Sequence, residues 1–495
     1  MNTRIRWLAT AVGVLLAVTS SATSSAADYW WVGGNGAYWD SYGQLAWKST
    51  AGYAGEGGGN LVQPHAGDSV FVFNANAGDF TARYWNTAYP GAVLKDLQVG
   101  SSGSGTMTIS FTEALSPITV DTHSLHTKRA RIGVYGYGAV DQAYGNVTVY
   151  EGLYLGFLLG STGYYRLSQG ALLDSRGTTE IGGSFSQGWL KIASGGVFTS
   201  GLALRGEDGN GRATVTGANS KWKSSSDLVL GGGDGVGWLD IEDGGVVESA
   251  SLSVSSKSVL NLNAGTLRAG SVSHAGKMLS TGGVSAIASD LTAEGGSQII
   301  LSGDATTTFA GKTEIRDGAA FQVDAGSMAI FLGAVQQRSG TLLTGAGNKF
   351  YAAGLSVGAS PGSVSDAGSV TFGENNVYLA EIGGTVPGLG HDFYEVAGIL
   401  SLGGTLKLVS WDGFVAQAGQ RFDLFDWGDV QGTFGDIDTS GFMLGSGARL
   451  DLSKLYVDGS ISVQAVPEPD SWALSLVGLG VIAGVMARRW QKRDH

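Results

Sequence analysis

Apolar and polar positions alternate with a period of two through most of this chain. In Trp189-Leu190-Lys191-Ile192, and again in Trp238-Leu239-Asp240-Ile241-Glu242, Leu and Ile stand two apart with a charged residue between them. That spacing sends the apolar pair to one side of a half-buried strand and the charge to the other. Double glycines follow, Gly195-Gly196 and Gly244-Gly245, and supply the φ > 0 conformations of a corner where the chain turns to its next face. The same grammar recurs in Leu228-Val229-Leu230-Gly231-Gly232, in Leu260-Asn261-Leu262-Asn263-Ala264-Gly265 and in Leu402-Gly403-Gly404-Thr405-Leu406-Lys407-Leu408. Helical spacing is sustained nowhere in this body of the chain.

The strands repeat. Gly188 to Val197 aligns with Gly237 to Val246 at an offset of 49 residues. Weaker copies start at Gly163 and Gly211. The basic unit is therefore near 25 residues, a period that signals a solenoid. These features predict an all-β fold, a right-handed parallel β-helix (β-solenoid) with capping ends. Coils stack at the ~4.8 Å strand spacing, so about 300 residues at ~25 per coil give on the order of a dozen coils and a rod of roughly 60 Å. A rod has two open ends that template aggregation unless covered. The aromatic-rich start, Tyr29 to Asp40 with Trp30, Trp31, Trp39 and then Trp47, is a candidate first cap, and Trp411 to Phe434 a candidate second one. The expected organisation is a signal peptide at 1–27, an aromatic-rich β region at 28–133, Gly-rich repeats at 134–349, a C-terminal solenoid and cap at 350–464, and a tail at 465–495.

Composition narrows the class. The chain has 82 glycines but only 7 prolines in 495 residues, with 43% hydrophobic residues, which excludes both collagen and disorder. Formal net charge is −12. An acidic surface argues against nucleic acid and anionic lipid, and suits solubility, weak cation binding or neutral glycans. Cysteine is absent, so disulfides, thiolate zinc sites and a cysteine nucleophile are all excluded.

Both ends carry export features. Arg4 and Arg6 precede an apolar core from Trp7 to Val18, and Ser25-Ala26-Ala27 follows, the pattern of a secretory signal peptide cleaved after Ala26 or Ala27. At the other end Pro467-Glu468-Pro469 precedes an uncharged stretch from Ser471 to Ala487, then Arg488-Arg489. The prolines keep their segment extended and accessible. The apolar stretch, with Trp472, Leu476, Leu479, Ile482 and Met486, sits near the ~17-residue lower limit for a membrane crossing. The arginines place its end in the cytoplasm and everything before Val466 outside. This order of elements resembles the PEP-CTERM sorting signal of Gram-negative bacteria. The resemblance implies export by the Sec machinery, transient residence in the inner membrane and removal of the tail by an exosortase. The Gly-Trp-Leu-x-Ile-x-x-Gly-Gly-Val units, with Ser360-Pro361-Gly362-Ser363, Glu381-Ile382-Gly383-Gly384 and Leu402-Gly403-Gly404-Thr405-Leu406, are similar to autotransporter passenger repeats. An autotransporter ends in a membrane β-barrel, whereas this chain ends in a single helix with basic residues.

Candidate chemistry is sparse. His123 and His126 are the only close histidines, and the odd spacing would split them across a strand beside Lys128, Arg129 and Arg131, so a surface loop is expected. No Gly-x-Ser-x-Gly elbow in an α/β context supports a serine nucleophile. Asp240 and Glu242 flank the inward Ile241 and are expected to face solvent, with Asp243 as a turn residue. The acidic residues Asp423, Asp426, Asp429, Asp436 and Asp438 are at most a weak cation site. No metal, cofactor or catalytic residue is expected. The sequence leads to a noncatalytic exported surface or extracellular-matrix protein with a structural or adhesive role in exopolysaccharide or biofilm. The alternative is a polysaccharide lyase or glycosidase on the same scaffold.

Overall fold

The computed structural model describes residues 28–31, 39, 47–49, 52–53, 64–84, 92–111, 124–202, 209–338, 342–358, 361–466 and 471–490. Among the described residues strand far outweighs helix, and the strands stack in long parallel ladders, the arrangement of a parallel β-helix.

Each coil has three faces. The first is a sheet of twelve strands, all parallel, one per coil, which includes Tyr137–Gln142, Thr162–Leu167, Gln187–Ala193, Asn210–Thr216, Val236–Glu242 and Val259–Asn263. At ~4.8 Å per step twelve strands span about 53 Å, close to the expected length. The second and third faces belong to one bent sheet. In Asn146–Leu155 the register shifts between Val149 and Gly152, and in Thr266–His274 between Arg268 and Ser271, so one strand serves both faces. In other coils the bend breaks the strand in two, as at Lys221–Ser224 and Leu228–Leu230.

Alternation along each strand fills the interior. On the second face the register stacks Leu173, Phe198, Trp222, Val247, Leu267, Ile287, Phe309, Phe331, Tyr351 and Phe372 directly above one another. Every one is buried, and the aromatic members stack: Phe309 on Phe331 at 5.1 Å and Phe331 on Tyr351 at 5.2 Å between ring centroids. A buried side chain of this size contributes roughly 1.5–3 kcal/mol, and neighbours in the column share one dry surface.

Glycine appears where backbones meet. Gly138, Gly163, Gly188, Gly211 and Gly237 form a column in register on the first face. A Cβ on Gly163 would lie 2.1 Å from the Ile132 carbonyl oxygen, and one on Gly188 would lie 2.1 Å from the Gly182 nitrogen. The third face therefore passes into the next coil against bare backbone. The 49-residue offset spans two coils, with Gly211 at the step between. Later coils are shorter, since Trp238 pairs with Val259 and Val259 with Lys277. The double glycines divide their work. At Ser194-Gly195-Gly196 and Asp243-Gly244-Gly245 the first two residues take positive φ, 50° and 82°, then 51° and 86°. The third is glycine because a Cβ on Gly245 would sit 2.2 Å from the Val215 oxygen.

Antiparallel strands cover both ends. Asp28–Trp31 runs parallel to Ser69–Asn74 and antiparallel to Trp47–Ser49. Trp31 and Trp39 are buried, and Trp39 packs on Tyr84 at 5.1 Å. At the other end Arg421–Asp423, Ala448–Asp451 and Ser460–Ala465 form a three-stranded antiparallel sheet beside the helix α1, Leu455–Asp458. The closing elements thus extend beyond the expected Trp411 to Phe434, because Phe422, Phe425 and Phe434 need a cover over their far side. The helix α2, Ser471–Trp490, follows.

Candidate functional site

The rod is complete before the tail begins. Ala465 pairs with Ala448, and the Val466 amide donates to the Gly447 oxygen at 2.7 Å. Pro467, Glu468 and Pro469 lie outside the described residues, as do Ala26 and Ala27. In α2 residues 475–490 are all exposed, and Leu476, Leu479, Ile482 and Met486 are each more than half exposed. Trp472 is part of the helix, but its side chain is outside the described residues. Arg488 and Arg489 stand in the last turn, where cations complement the helix dipole. The uncharged stretch of α2 rises about 26 Å at 1.5 Å per residue, short of the ~30 Å hydrocarbon core. Among the described residues no helix is long and apolar enough to cross a membrane.

Asp240, Glu242 and Asp243 sit in three different environments. Asp240 does not face solvent as expected; it points outward from its strand but is 1% exposed, because side chains of the adjoining coils close over it. Its oxygens accept from Arg212 Nε at 2.7 Å, Asn261 Nδ2 at 2.6 Å and Thr214 Oγ1 at 3.2 Å. Glu242 is half-buried, and burial raises its pKa, with the Asp240 and Asp243 charges adding to the rise. Asp243 takes the positive φ of the corner. His126 also departs from expectation. It lies on the strand Leu125–Ile132, where a loop was expected, and burial lowers its pKa, with the Arg176 charge a second cause. His123 lies outside the described residues. Arg129 and Arg131 both clamp the buried Asp96 at 2.9 Å. Among the described residues no group of three or more metal-ligating side chains converges. In the acidic cluster Asp426 and Asp429 each accept from the next backbone amide at 2.9 Å, and Asp423 pairs with Arg421 at 2.8 Å.

A feature missed by sequence reasoning runs along the outside of the first face. One residue after the glycine column, Tyr164, Trp189, Arg212 and Trp238 stack in register and point outward. Trp189 is 48% exposed and meets Tyr164 edge to face at 6.4 Å. Gln187, Trp189, Asn210, Gly211, Arg212 and Trp238 line a cleft of about 260 Å³. The signal was present in the period-two pattern, which puts a residue just before an inward Leu on the outer face.

A second polar group is wholly internal. Lys349 and Asp366 form an ion pair with neither side chain exposed, the Tyr394 hydroxyl donates to Asp366 at 2.7 Å, and Lys349 donates to the Gly345 and Gly347 oxygens. Nearby, the Asp392 oxygens accept from the Gly362 and Glu381 amides at 2.8 and 2.9 Å. The ring nitrogens of His391 face the Gly384 and Asp423 oxygens at 3.0 and 2.9 Å.

A closed parallel β-helix followed by a separable helix with a basic end is the architecture of a rod with an appended address. Residues 465–492 match the family of the PEP-CTERM protein-sorting motif, and the match covers that tail alone. The motif implies processing by an exosortase and export to the cell envelope or surface. No curated protein and no solved structure matches the chain.

Proposed function

We propose that this protein is a noncatalytic rod exported from a Gram-negative cell, held briefly at the inner membrane by α2, and cut by an exosortase. It then remains at the cell surface or in the extracellular matrix, with a structural or adhesive role in exopolysaccharide or biofilm. The observation that carries the reading is the junction at Val466. The last cap strand ends at Ala465, the matched motif starts there, and residues 475–490 pack on nothing in the rod. A cut beyond Val466 removes the tail and leaves every coil and both caps in place. The short apolar stretch suits brief anchorage, since a span below the core thickness costs a fraction of a kcal/mol per Å in bilayer thinning. The noncatalytic reading is supported by Asp240, whose carboxylate is buried and already accepts from three side chains.

Mass spectrometry of the protein from the surface of the cells that make it tests the reading. The expected C-terminal peptide ends within the tail, and Glu468→Ala leaves the tail attached and the protein in the membrane fraction. Surface protein ending at His495, or native protein confined to the cytosol, refutes the proposal. Release of reducing ends or unsaturated sugars from matrix polysaccharide would move the assignment to the lyase or glycosidase class.

A further inference from the structure

We infer that the outward strip Tyr164, Trp189, Arg212 and Trp238 is a binding site for a neutral polysaccharide chain lying along the rod. The inference deepens the proposed surface role and rests on it. Three coil steps carry the four side chains in strict register, so Trp189 and Trp238 are about 9.6 Å apart along the axis at ~4.8 Å per coil. Alternate rings of an extended hexose chain have a comparable separation. Indole and phenol rings present flat apolar faces to the C–H face of a pyranose, and their polar edges remain available for hydroxyls. Gln187 and Asn210 line the same cleft as the two tryptophans, two residues before Trp189 and Arg212 on their strands, and a side-chain amide both donates and accepts.

Arg212 is held for this purpose. Its Nε is fixed on Asp240 at 2.7 Å, and Asp240 is itself locked beneath it by Asn261 and Thr214. The terminal guanidinium nitrogens take no partner among the described residues, and the side chain is 55% exposed. A forked donor anchored on a buried carboxylate is oriented before any ligand arrives, which lowers the ordering cost of binding.

Other occupants fit less well. Nucleic acid and acidic polysaccharide meet a chain of net charge −12, and Arg212 is offset by Asp240 with Glu242 and Asp243 on the same strand end. Strand addition by a peptide needs a sheet edge, whereas this surface is the middle of a twelve-stranded ladder. A tryptophan serving only to cover the sheet would lie down against it, and Trp189 is nearly half exposed.

Affinity electrophoresis of the full-length chain in mild detergent tests the site, with barley β-glucan, dextran and galactomannan in separate gels and alginate as the acidic arm. At least one neutral polysaccharide should retard the protein. Trp189→Ala and Trp238→Ala should each weaken that retardation on the order of tenfold, the loss of one stacked ring. Trp189→Tyr should retain most of it, and Tyr135→Ala, an exposed aromatic outside the strip, should retain all of it. Circular dichroism and melting of each variant separate lost binding from lost folding. Retardation by alginate alone, retardation by nothing, or neutral binding that survives Trp189→Ala with Trp238→Ala overturns the inference. That last result would leave the surface role standing and remove only this site, while the mass-spectrometric test of processing is read independently of all of them.

Discussion

The repeat coils and the C-terminal end fill the same tube with different materials. From Leu173 to Phe331 the second-face column is apolar at every step. Beyond it the interior holds Lys349, Asp366, His391 and Asp392, each at most 1% exposed. An apolar column tolerates many sequences, since any inward Leu, Val, Ile or Phe meets a similar neighbour one coil on. A buried charge pair accepts one partner in one geometry. The contrast teaches that extension and termination have different requirements. Coils can be added wherever the alternation continues, but the end must be unique, or the stack would accept a further coil or a second molecule.

The largest effect should come from the glycine column. A Cβ on Gly163 would lie 2.1 Å from the Ile132 oxygen and 2.2 Å from the Gly156 nitrogen, and both are backbone atoms with no freedom to move aside. Gly163→Val should cost about 4 kcal/mol or more, the range of severe core disruption, and open the coils on both sides of it. Limited proteolysis that leaves Thr162–Leu167 as resistant as in the parent would contradict the close-approach account.

Removing half of the C-terminal pair comes next. Asp366→Ala leaves Lys349 charged and buried, and should cost roughly 3–5 kcal/mol. Replacing the whole unit with Lys349→Met, Asp366→Leu and Tyr394→Phe should recover most of that stability. If the pair sets the end of the stack, the apolar triple variant should nevertheless form higher oligomers in light scattering. A monomeric triple variant would show that the pair is not needed for termination.

The two regions should also respond to pH with opposite sign. His274 lies in the third-face column between Val254 and Ala293, and burial lowers its pKa to about 4. A depressed pKa gives stability that is present above the unfolded value near 6.5 and lost as pH falls through 4, on the order of 3 kcal/mol. Asp392 is the reverse. Burial raises it to about 7, against the Glu381 and Gly362 amides and with help from the Glu381 charge. Its contribution is complete below the unfolded value near 4 and is lost as pH rises through 7. Hydrogen exchange corrected for intrinsic rates should find the coil around His274 loosening first below pH 5, and the segment around Asp392 loosening first above pH 7. His274→Leu should abolish the first response and Asp392→Asn the second. The same direction in both regions would break the contrast.

What could be read from residues alone divides along the same line. The strands, the corners and the stacking of Gly163, Gly188, Gly211 and Gly237 follow from local alternation repeated at a coil period, and the Pro-Glu-Pro tail is a local motif. The burial of Asp240 is not legible locally, because it depends on Arg212 and Asn261, 28 and 21 residues away in neighbouring coils. The C-terminal network is hidden for a stronger reason. Tyr394 and Asp366 stand 28 residues apart and His391 and Asp423 stand 32 apart, and no repeated unit marks these pairs or that of Lys349 with Asp366. The Trp189 strip is legible in the alternation, since each of its residues stands just before an inward one, whereas aromatic density alone is no guide: in the dense stretch Tyr29 to Asp40, Trp31 and Trp39 turn inward.

The smallest effect isolates what burial adds to a charge pair. Lys257 and Asp234 meet at 2.8 Å across adjoining coils, a geometry as close as many internal pairs, but their side chains are 54% and 89% exposed. The lysine holds the Asp234 carboxyl below the usual range through its hydrogen bond first and its charge second. Water and salt screen such a contact, and holding two exposed side chains in one geometry offsets the remaining attraction. Asp234→Ala should therefore leave melting and proteolysis unchanged at physiological salt, against the large loss expected for Asp366→Ala. Both pairs join a Lys to an Asp on neighbouring coils, so the difference between the two variants measures desolvation and hydrogen-bond completeness with the chemistry held constant. If the exposed pair proves as costly to break as the buried one, the stack is held by inter-coil charge contacts in general, and the special role given to its C-terminal end is lost.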